Sequence, residues 1–440
     1  MALFSEHPAL EARVASYAAA ARSALRAGRD EQGAGGPDSG ERAPGAHEIR
    51  ARWRRMAVLG VLPPLTPPEP GMPAPTPGEP APPPTESGPD QPDGPDQPDG
   101  LDRPDGPAAG AAAPYGEVAG TLAALEGLGL AGVDIGLCYA LTSQAFGMQF
   151  PLRPWLTAEQ RAALAGAAEG DRLLCHALTE AGGGSDPLSM TTRAERRPDG
   201  SYVLRGEKRF VTAAPVADTA LVFARTGEGR SPFALSAFLV DTAAPGVVRG
   251  EPVHKTALTG VPMGGLRLDG VRVAAEARVG EEGAGLAVLT ATTTWERALL
   301  LGHALGPMRR TLDRTLEWAK SREHFGRRMA ASHLVAGRIC EMALALYRSR
   351  KLLYGVAARL DAGVSVRQVA DEAALIKISV TEDHQAFARH AAQLGGVRAF
   401  LRDDELAVDL AGPMAGSSYA GPNDLLRITV ARQLGLPVPS

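Results

Sequence analysis

The sequence predicts an α+β chain in which an antiparallel β domain is inserted between two helical regions. Three observations predict it. Apolar residues recur at helical spacing as far as about residue 170, the period shifts to two from Leu173, and long helical patterns return after Gly285. The expected units are an N-terminal helical domain over 1–172, a β-barrel-like middle domain over 173–285 and a C-terminal four-helix bundle over 286–440.

Residues 5–27 place apolar side chains on one helical face, and 48–62 make a second helix after a Gly-rich break at 30–47. The stretch 63–114 is different in kind. Proline recurs every few residues and a near-repeat of PDQPDG occupies 89–106, so this acidic segment has little to bury and is expected to be disordered or polyproline-like. Residues 115–150 are apolar on nearly every helical face, which suits a pair of buried helices. A short helix follows over 156–170, with Thr157 as its N-cap.

Strands are expected at 191–196, 202–205, 210–212, 219–225, 233–240, 247–250, 266–273 and 276–279, separated by PDG, GEGR and APG turns. Helices are expected at 286–322, 330–360 and 365–393, with a final segment at 424–434.

With 440 residues, 44% of them hydrophobic, the chain can bury a large core. A net charge of −4 with no basic block argues against nucleic acid or an anionic membrane as the main partner. There is no run of 18 apolar residues and no basic start leading into an apolar core, so a cytoplasmic protein is expected. Cys138, Cys175 and Cys340 lie far apart in apolar contexts without CxxC spacing. They read as reduced core residues, with no disulfide frame and no metal site.

The chemistry is concentrated in a few stretches. At 173–186, LLCHALTEAGGGSD runs an apolar strand into three glycines and two hydroxyl residues, placing bare backbone N–H groups at a strand exit. KRFVT at 208–212, TTTWERALLLG at 292–302, AKSREHFGRRM at 319–329, LGGVRAF at 394–400 and YAGP at 419–422 complete the set. Together they resemble the acyl-CoA dehydrogenase family, whose signature is a strand followed by T-E-P-G-x-G-S-D; here Ala181 stands for the proline. The resemblance runs from about residue 150 to the C-terminus, with a weaker match at 1–62, and it implies the family's helix–sheet–helix architecture.

The resemblance implies FAD as cofactor. His176 and Leu178 would face the flavin, Thr179 would hydrogen-bond it, Phe210 would replace the family's usual tryptophan against it, and Thr212 would lie near N5. Arg322 and Phe325 match the family's R-x-x-F-G, where an arginine reaches FAD pyrophosphate, commonly that of the neighbouring subunit; Gly395 and Gly396 would admit its adenosine diphosphate. A homodimer or homotetramer follows. The glutamine of that last motif falls one place late as Gln393, and Arg398 stands where a third glycine is usual. Ala411-Gly412 replaces an Arg-Asp pair, and Pro422 and Asp424 replace residues that normally touch FAD.

In most of the family the catalytic carboxylate sits in a late Y-E-G-T stretch. Here that stretch is Tyr419-Ala420-Gly421-Pro422 and holds no carboxylate. The isovaleryl-CoA and long-chain branches instead carry the base as the Glu of an earlier E-R pair, with a small residue at the late position. Glu296-Arg297 together with Ala420 reproduces that exchange. The resemblance therefore implies Glu296 as the base that removes the α proton of an acyl thioester, on coenzyme A or a carrier protein, with flavin N5 taking the β hydride. Ala420 would offer its N–H to the enolate oxygen, and Ser185, Arg297, Tyr419 and Gly421 would touch substrate. Electrons would pass to an acceptor protein or O2. Two other readings stand beside this one: a flavin-dependent oxygenase on the same fold, and a catalytically degenerate paralogue acting through a partner.

Overall fold

The computed structural model describes residues 8–31, 45–67 and 115–438. Apart from residues 63–67, the Pro-rich stretch expected over 63–114 lies outside the described residues, as does 32–44 of the Gly-rich break.

The N-terminal region consists of α1 (Pro8–Glu31), α2 (Ala46–Met56), α3 (Glu117–Ala131), α4 (Ile135–Ser143), α5 (Phe150–Leu152) and α6 (Ala158–Ala163). Both α3 and α4 are buried almost all round, as their unbroken apolar sequence requires. Between α4 and α5 the chain widens into a π-turn, Gln144–Gln149. The helix expected over 156–170 is shorter than its pattern suggested. Thr157 caps it through a capping box with Gln160, but it ends at Ala163, and Gly166 and Gly170 take positive φ in the turns that follow.

Strands β1 (Leu174–Ala177), β2 (Arg193–Arg196), β3 (Tyr202–Thr212), β4 (Thr219–Arg225), β5 (Leu235–Asp241), β6 (Val247–Arg249), β7 (Met263–Val273) and β8 (Arg278–Val279) form one sheet. Its hydrogen-bonded path is β6-β7-β3-β2-β4-β5-β8, with β1 beside β4 off that path. Most pairings are antiparallel, as expected, but β1 pairs β4 in parallel and β2 meets the same edge of β4 in parallel at Arg193↔Arg225. β1 and β2 therefore follow one another along a single neighbour, and the glycine-rich segment between them is thrown out of the sheet where it divides. The two strands expected at 202–205 and 210–212 are one strand, β3, with register shifts at 204/205 and 208/211.

The C-terminal region contains α7 (Gly285–Leu299), α8 (Leu305–Ser321), a hairpin β9 (Glu323–His324) and β10 (Arg327–Arg328), α9 (His333–Asp361), α10 (Ala370–Gly395), α11 (Ala411–Ala415) and α12 (Asn423–Gln433). The single helix expected over 286–322 is two helices, joined by a 3-10 turn at Leu300–Ala304. One core cluster runs through both helical regions, from Val14 and Leu122 to Leu346 and Ile376. A buried ionic knot fastens them: Glu126 receives Arg350 and the Tyr354 hydroxyl (2.8 Å), while Glu11 receives Arg350 and Arg309. Cys138 and Cys175 are buried, but Cys340 is exposed on α9, contrary to the expectation of a core residue.

Candidate active site between the divided sheet and helix α7

Thr179 leaves β1 beside the end of β3. The Arg209 N–H donates to the Thr179 carbonyl (2.7 Å), and Lys208 Nζ donates to the Leu178 carbonyl (3.1 Å) and to Glu180 Oε1 (2.9 Å). Glu180 also accepts from the Thr191 N–H and hydroxyl, both 2.6 Å, and from the Thr192 N–H at 2.9 Å. Burial works against its charge, but Lys208 and these donors prevail and hold the carboxyl at about 2. The Glu of the T-E pair and the Lys that opens KRFVT are thus a buried couple that fixes the shape of the glycine turn. Sequence reasoning assigned neither a role. The available signal was a lysine at a β3 position whose burial pattern points inward.

The turn itself closes through reciprocal Glu180–Gly183 backbone bonds of 3.2 and 3.0 Å. Among the described residues, no protein group takes the N–H of Ala181, Gly182, Gly184 or Ser185. Gly184 lies so close to Thr179 that an added Cβ would sit 2.6 Å from Thr179 Oγ1. Ser185 is exposed, and Asp186 beside it pairs with Arg230 at 2.8 Å. On β3 the shift at 208/211 puts Phe210 at φ 56° and leaves its ring 62% exposed at the strand exit. A non-glycine residue in that region stores strain, and such strain collects at ligand sites. Thr212 follows, with its side chain against Tyr139 of α4.

Glu296 sits on α7, where its carboxylate packs on the π-turn at Gly147. A Cβ on Gly147 would lie 2.6 Å from Glu296 Oε1, so a side chain there would displace the acid. Trp295 stacks on Phe150 with centroids 5.2 Å apart and 2° between planes, which fixes the roll of the helix. Burial raises the Glu296 carboxyl to about 7 against the pull of Arg297, and the same carboxylate helps to raise the Tyr139 phenol. One turn earlier on the helix, Thr292 Oγ1 meets His176 Nε2 of β1 at 3.0 Å. His176, expected to face a flavin, has this nitrogen turned to α7 and its ring against Phe223 at 5.0 Å; burial lowers it to about 4, so it is neutral. Leu178 is half-buried between the two strand exits.

The late loop comes to the same place. Arg297 Nε donates to the Ala420 carbonyl (3.2 Å), and Ala420 and Gly421 both have positive φ, 53° and 94°. Arg297, expected to touch substrate, is therefore engaged with the backbone. Tyr419 packs edge-on to Tyr139 with centroids 5.0 Å apart, and its buried hydroxyl has no partner among the described residues. Thr179, Thr212, Tyr139, Glu296 and Ala420, drawn from five separate parts of the chain, are thereby linked through a series of contacts.

Arg322, Phe325, Gly395 and Gly396 belong to a second cluster. Arg322 and Arg398 both cover Trp318, at 5.4 and 4.5 Å, so the hairpin and the turn after α10 share the far end of α8, roughly 25 Å along that helix from the 3-10 turn. Phe325 is 91% exposed there at φ 49°.

The donor set fits a flavin dinucleotide: free backbone N–H groups and threonine hydroxyls at the strand exits, and a guanidinium with two glycines at the other cluster. Thr179, Thr212 and the Phe210 ring would hold the isoalloxazine of one FAD, and Arg322 with Gly395 and Gly396 the diphosphate of the FAD of a second copy of the chain.

Comparison with known proteins agrees. Residues 175–271 match the family described as acyl-CoA dehydrogenase, middle domain, and 283–435 match acyl-CoA dehydrogenase, C-terminal domain. The chain is 32% identical over 317 residues to the L-prolyl-[peptidyl-carrier protein] dehydrogenase of Pseudomonas fluorescens, covering 72% of this chain and 83% of that protein. It superposes on the crystal structure of the prolyl acyl carrier protein oxidase AnaB with a TM-score of 0.69 at 30% identity, covering 73% of this chain and 84% of that one. PigA with FAD and proline gives a TM-score of 0.69 at 29% identity, over 73% and 83%. The joined strand exits, the buried glutamate and these matches lead to one conclusion: the chain belongs to the acyl-CoA dehydrogenase family.

Proposed function

We propose that this protein is an FAD-dependent oxidoreductase that dehydrogenates an acyl thioester between Cα and Cβ, with Glu296 as the base. The observation that carries the assignment is a carboxylate raised to about 7 by burial on α7, facing Tyr139 and next in sequence to the arginine that holds Ala420. A base poised near the working pH is what α-proton removal requires. Glu296 takes the α proton as the electron pair of that C–H bond becomes the new C=C bond, and the Ala420 N–H donates to the thioester oxygen as negative charge collects there. When bound, FAD supplies the acceptor for the hydride that leaves Cβ.

Similarity to a prolyl-carrier-protein dehydrogenase supports an acyl group carried on phosphopantetheine, and the small side chain of Ala420 leaves room for a ring or branch beside Cα. The oxygenase and degenerate readings both lose to a buried, shifted Glu296. The electron acceptor is a second protein or O2. The exposed Phe325, Leu334, Val397 and Phe400 surround Arg322 and Arg398 at one end of the C-terminal helices, an apolar face that suits a second copy of the chain.

The test is anaerobic mixing of the FAD-loaded protein with prolyl and isovaleryl thioesters of coenzyme A and of a phosphopantetheinylated carrier protein. Bleaching of the oxidised flavin without O2 is expected, and Glu296→Gln should abolish it while FAD stays bound. Bleaching at the wild-type rate in that variant would remove Glu296 from the mechanism.

A further inference from the structure

We propose that Lys377 is a positioning residue for the reaction assigned above: together with Arg297 it fixes the Ala420–Gly421 peptide unit, keeping the Ala420 N–H available to the thioester oxygen. The inference rests on that functional reading.

Lys377 lies on α10 and is 1% exposed. Nζ donates to the Gly421 carbonyl at 2.8 Å and to Asn423 Oδ1 at 2.6 Å. Arg297, from α7, donates to the preceding carbonyl, that of Ala420. Two consecutive carbonyls are thus each held by a cation, and the two cations come from different helices. Among the described residues neither the Ala420 nor the Gly421 N–H is given to a protein acceptor, so the clamp binds the oxygens of this loop and leaves its donors free.

The arrangement is costly for the fold. An alanine at φ 53° is strained, and a buried ammonium with only neutral oxygen acceptors loses hydration that no carboxylate restores. Burial first, then Arg297 and Arg427, lower the Lys377 ammonium to about 8. An apolar residue would fill the space without that penalty. Orientation of the loop is what the charge supplies, and the Tyr419 ring, 5.9 Å from Nζ, lies under the same group.

The experiment compares FAD-loaded wild type, Lys377→Met and Lys377→Arg by anaerobic stopped flow with whichever of the four thioesters bleaches the wild type. Displacing one oxyanion donor should slow flavin reduction about 100-fold in Lys377→Met, while the substrate Kd from the same titration changes less than threefold. Lys377→Arg should recover to within about tenfold of wild type, because a guanidinium can span both acceptors. Should Lys377→Met not fold as holoprotein, Lys377→Gln serves instead, its uncharged amide giving an intermediate loss in rate at unchanged Kd. A folded Met or Gln variant that reduces flavin within twofold of wild type overturns the inference, as does a loss carried by Kd. A wild type that none of the thioesters bleaches overturns the functional reading first, so the two failures are distinguishable.

Discussion

His176 of β1 and Thr292 of α7 share a 3.0 Å hydrogen bond, and Thr292 stands one helical turn before Glu296. The Thr292 hydroxyl also lies 3.0 Å from the Leu289 carbonyl, so it ties β1 to the backbone of α7 as well as to its own helix turn. The strand that leads to Thr179 is thereby joined to the helix that carries Glu296, the proposed base. His176→Phe, which keeps a ring and drops the hydrogen bond, is expected to lower the rate of flavin reduction about tenfold and stability by about 1 kcal/mol. Stopped-flow reduction and thermal melts of the same preparation measure both.

The rate of thioester-driven reduction should rise with pH through about 7 and then level, because only ionised Glu296 accepts the α proton. A profile of the reduction rate constant from pH 5.5 to 9 measures it. A flat profile with the flavin still bound would mean another base.

Glu296 also costs stability. Its carboxyl titrates near 4.5 in the unfolded chain and about 7 in the folded protein, so the native state holds the proton more tightly, and stability falls as pH rises between those values. Glu296→Gln should therefore raise the melting temperature at pH 8, by the equivalent of about 3 kcal/mol, and by less than about 1 kcal/mol at pH 5. Scanning calorimetry at the two pH values tests the sign.

Breaking the Glu180–Lys208 couple leaves an uncompensated buried charge. Lys208→Met should cost about 3–5 kcal/mol and release bound FAD, since the glycine turn loses its anchor. Glu180 sits well below the ordinary carboxylate range, so its contribution is present above pH 4.5 and is lost as pH falls toward about 2. Denaturant titration with flavin fluorescence as a second signal follows both effects.

Cutting the ionic knot acts elsewhere. Arg350→Met strips Glu126, which has no exposed surface, of its nearest cation and leaves it the Tyr354 hydroxyl and Arg309 at 3.8 Å, and should destabilise the chain by about 3 kcal/mol. Reduction kinetics of whatever protein remains folded should be unchanged, because the knot touches none of the residues around Glu296.

The order of helices, strands and helices was legible because the hydrophobic period changes twice along the chain. The glycine turn and the two strand exits could be read from their residue types. The parallel pairing of β1 could not, since the sequence of one strand does not say which edge of which neighbour it joins. The break at Leu300–Ala304 was also hidden, because LLGHA continues the apolar pattern of the flanking helices while the backbone tightens. Tyr139, Gly147 and Lys377 reach the site only through tertiary folding: a tyrosine in an apolar helix, a glycine in a π-turn and a lysine in an amphipathic pattern carry no local mark. Cys340 misled for the converse reason, since an apolar neighbourhood in sequence proved to be an exposed helical face.

Gly147 and Ala420 are far apart along the chain, yet in the proposed site each gives up side-chain volume, Gly147 to admit Glu296 and Ala420 where a carboxylate would otherwise stand. Transplanting a proton acceptor from one end of a polypeptide to the other thus takes more than writing a carboxylate into a new helix. It needs a methyl-free floor beneath the newcomer, which Gly147 supplies here.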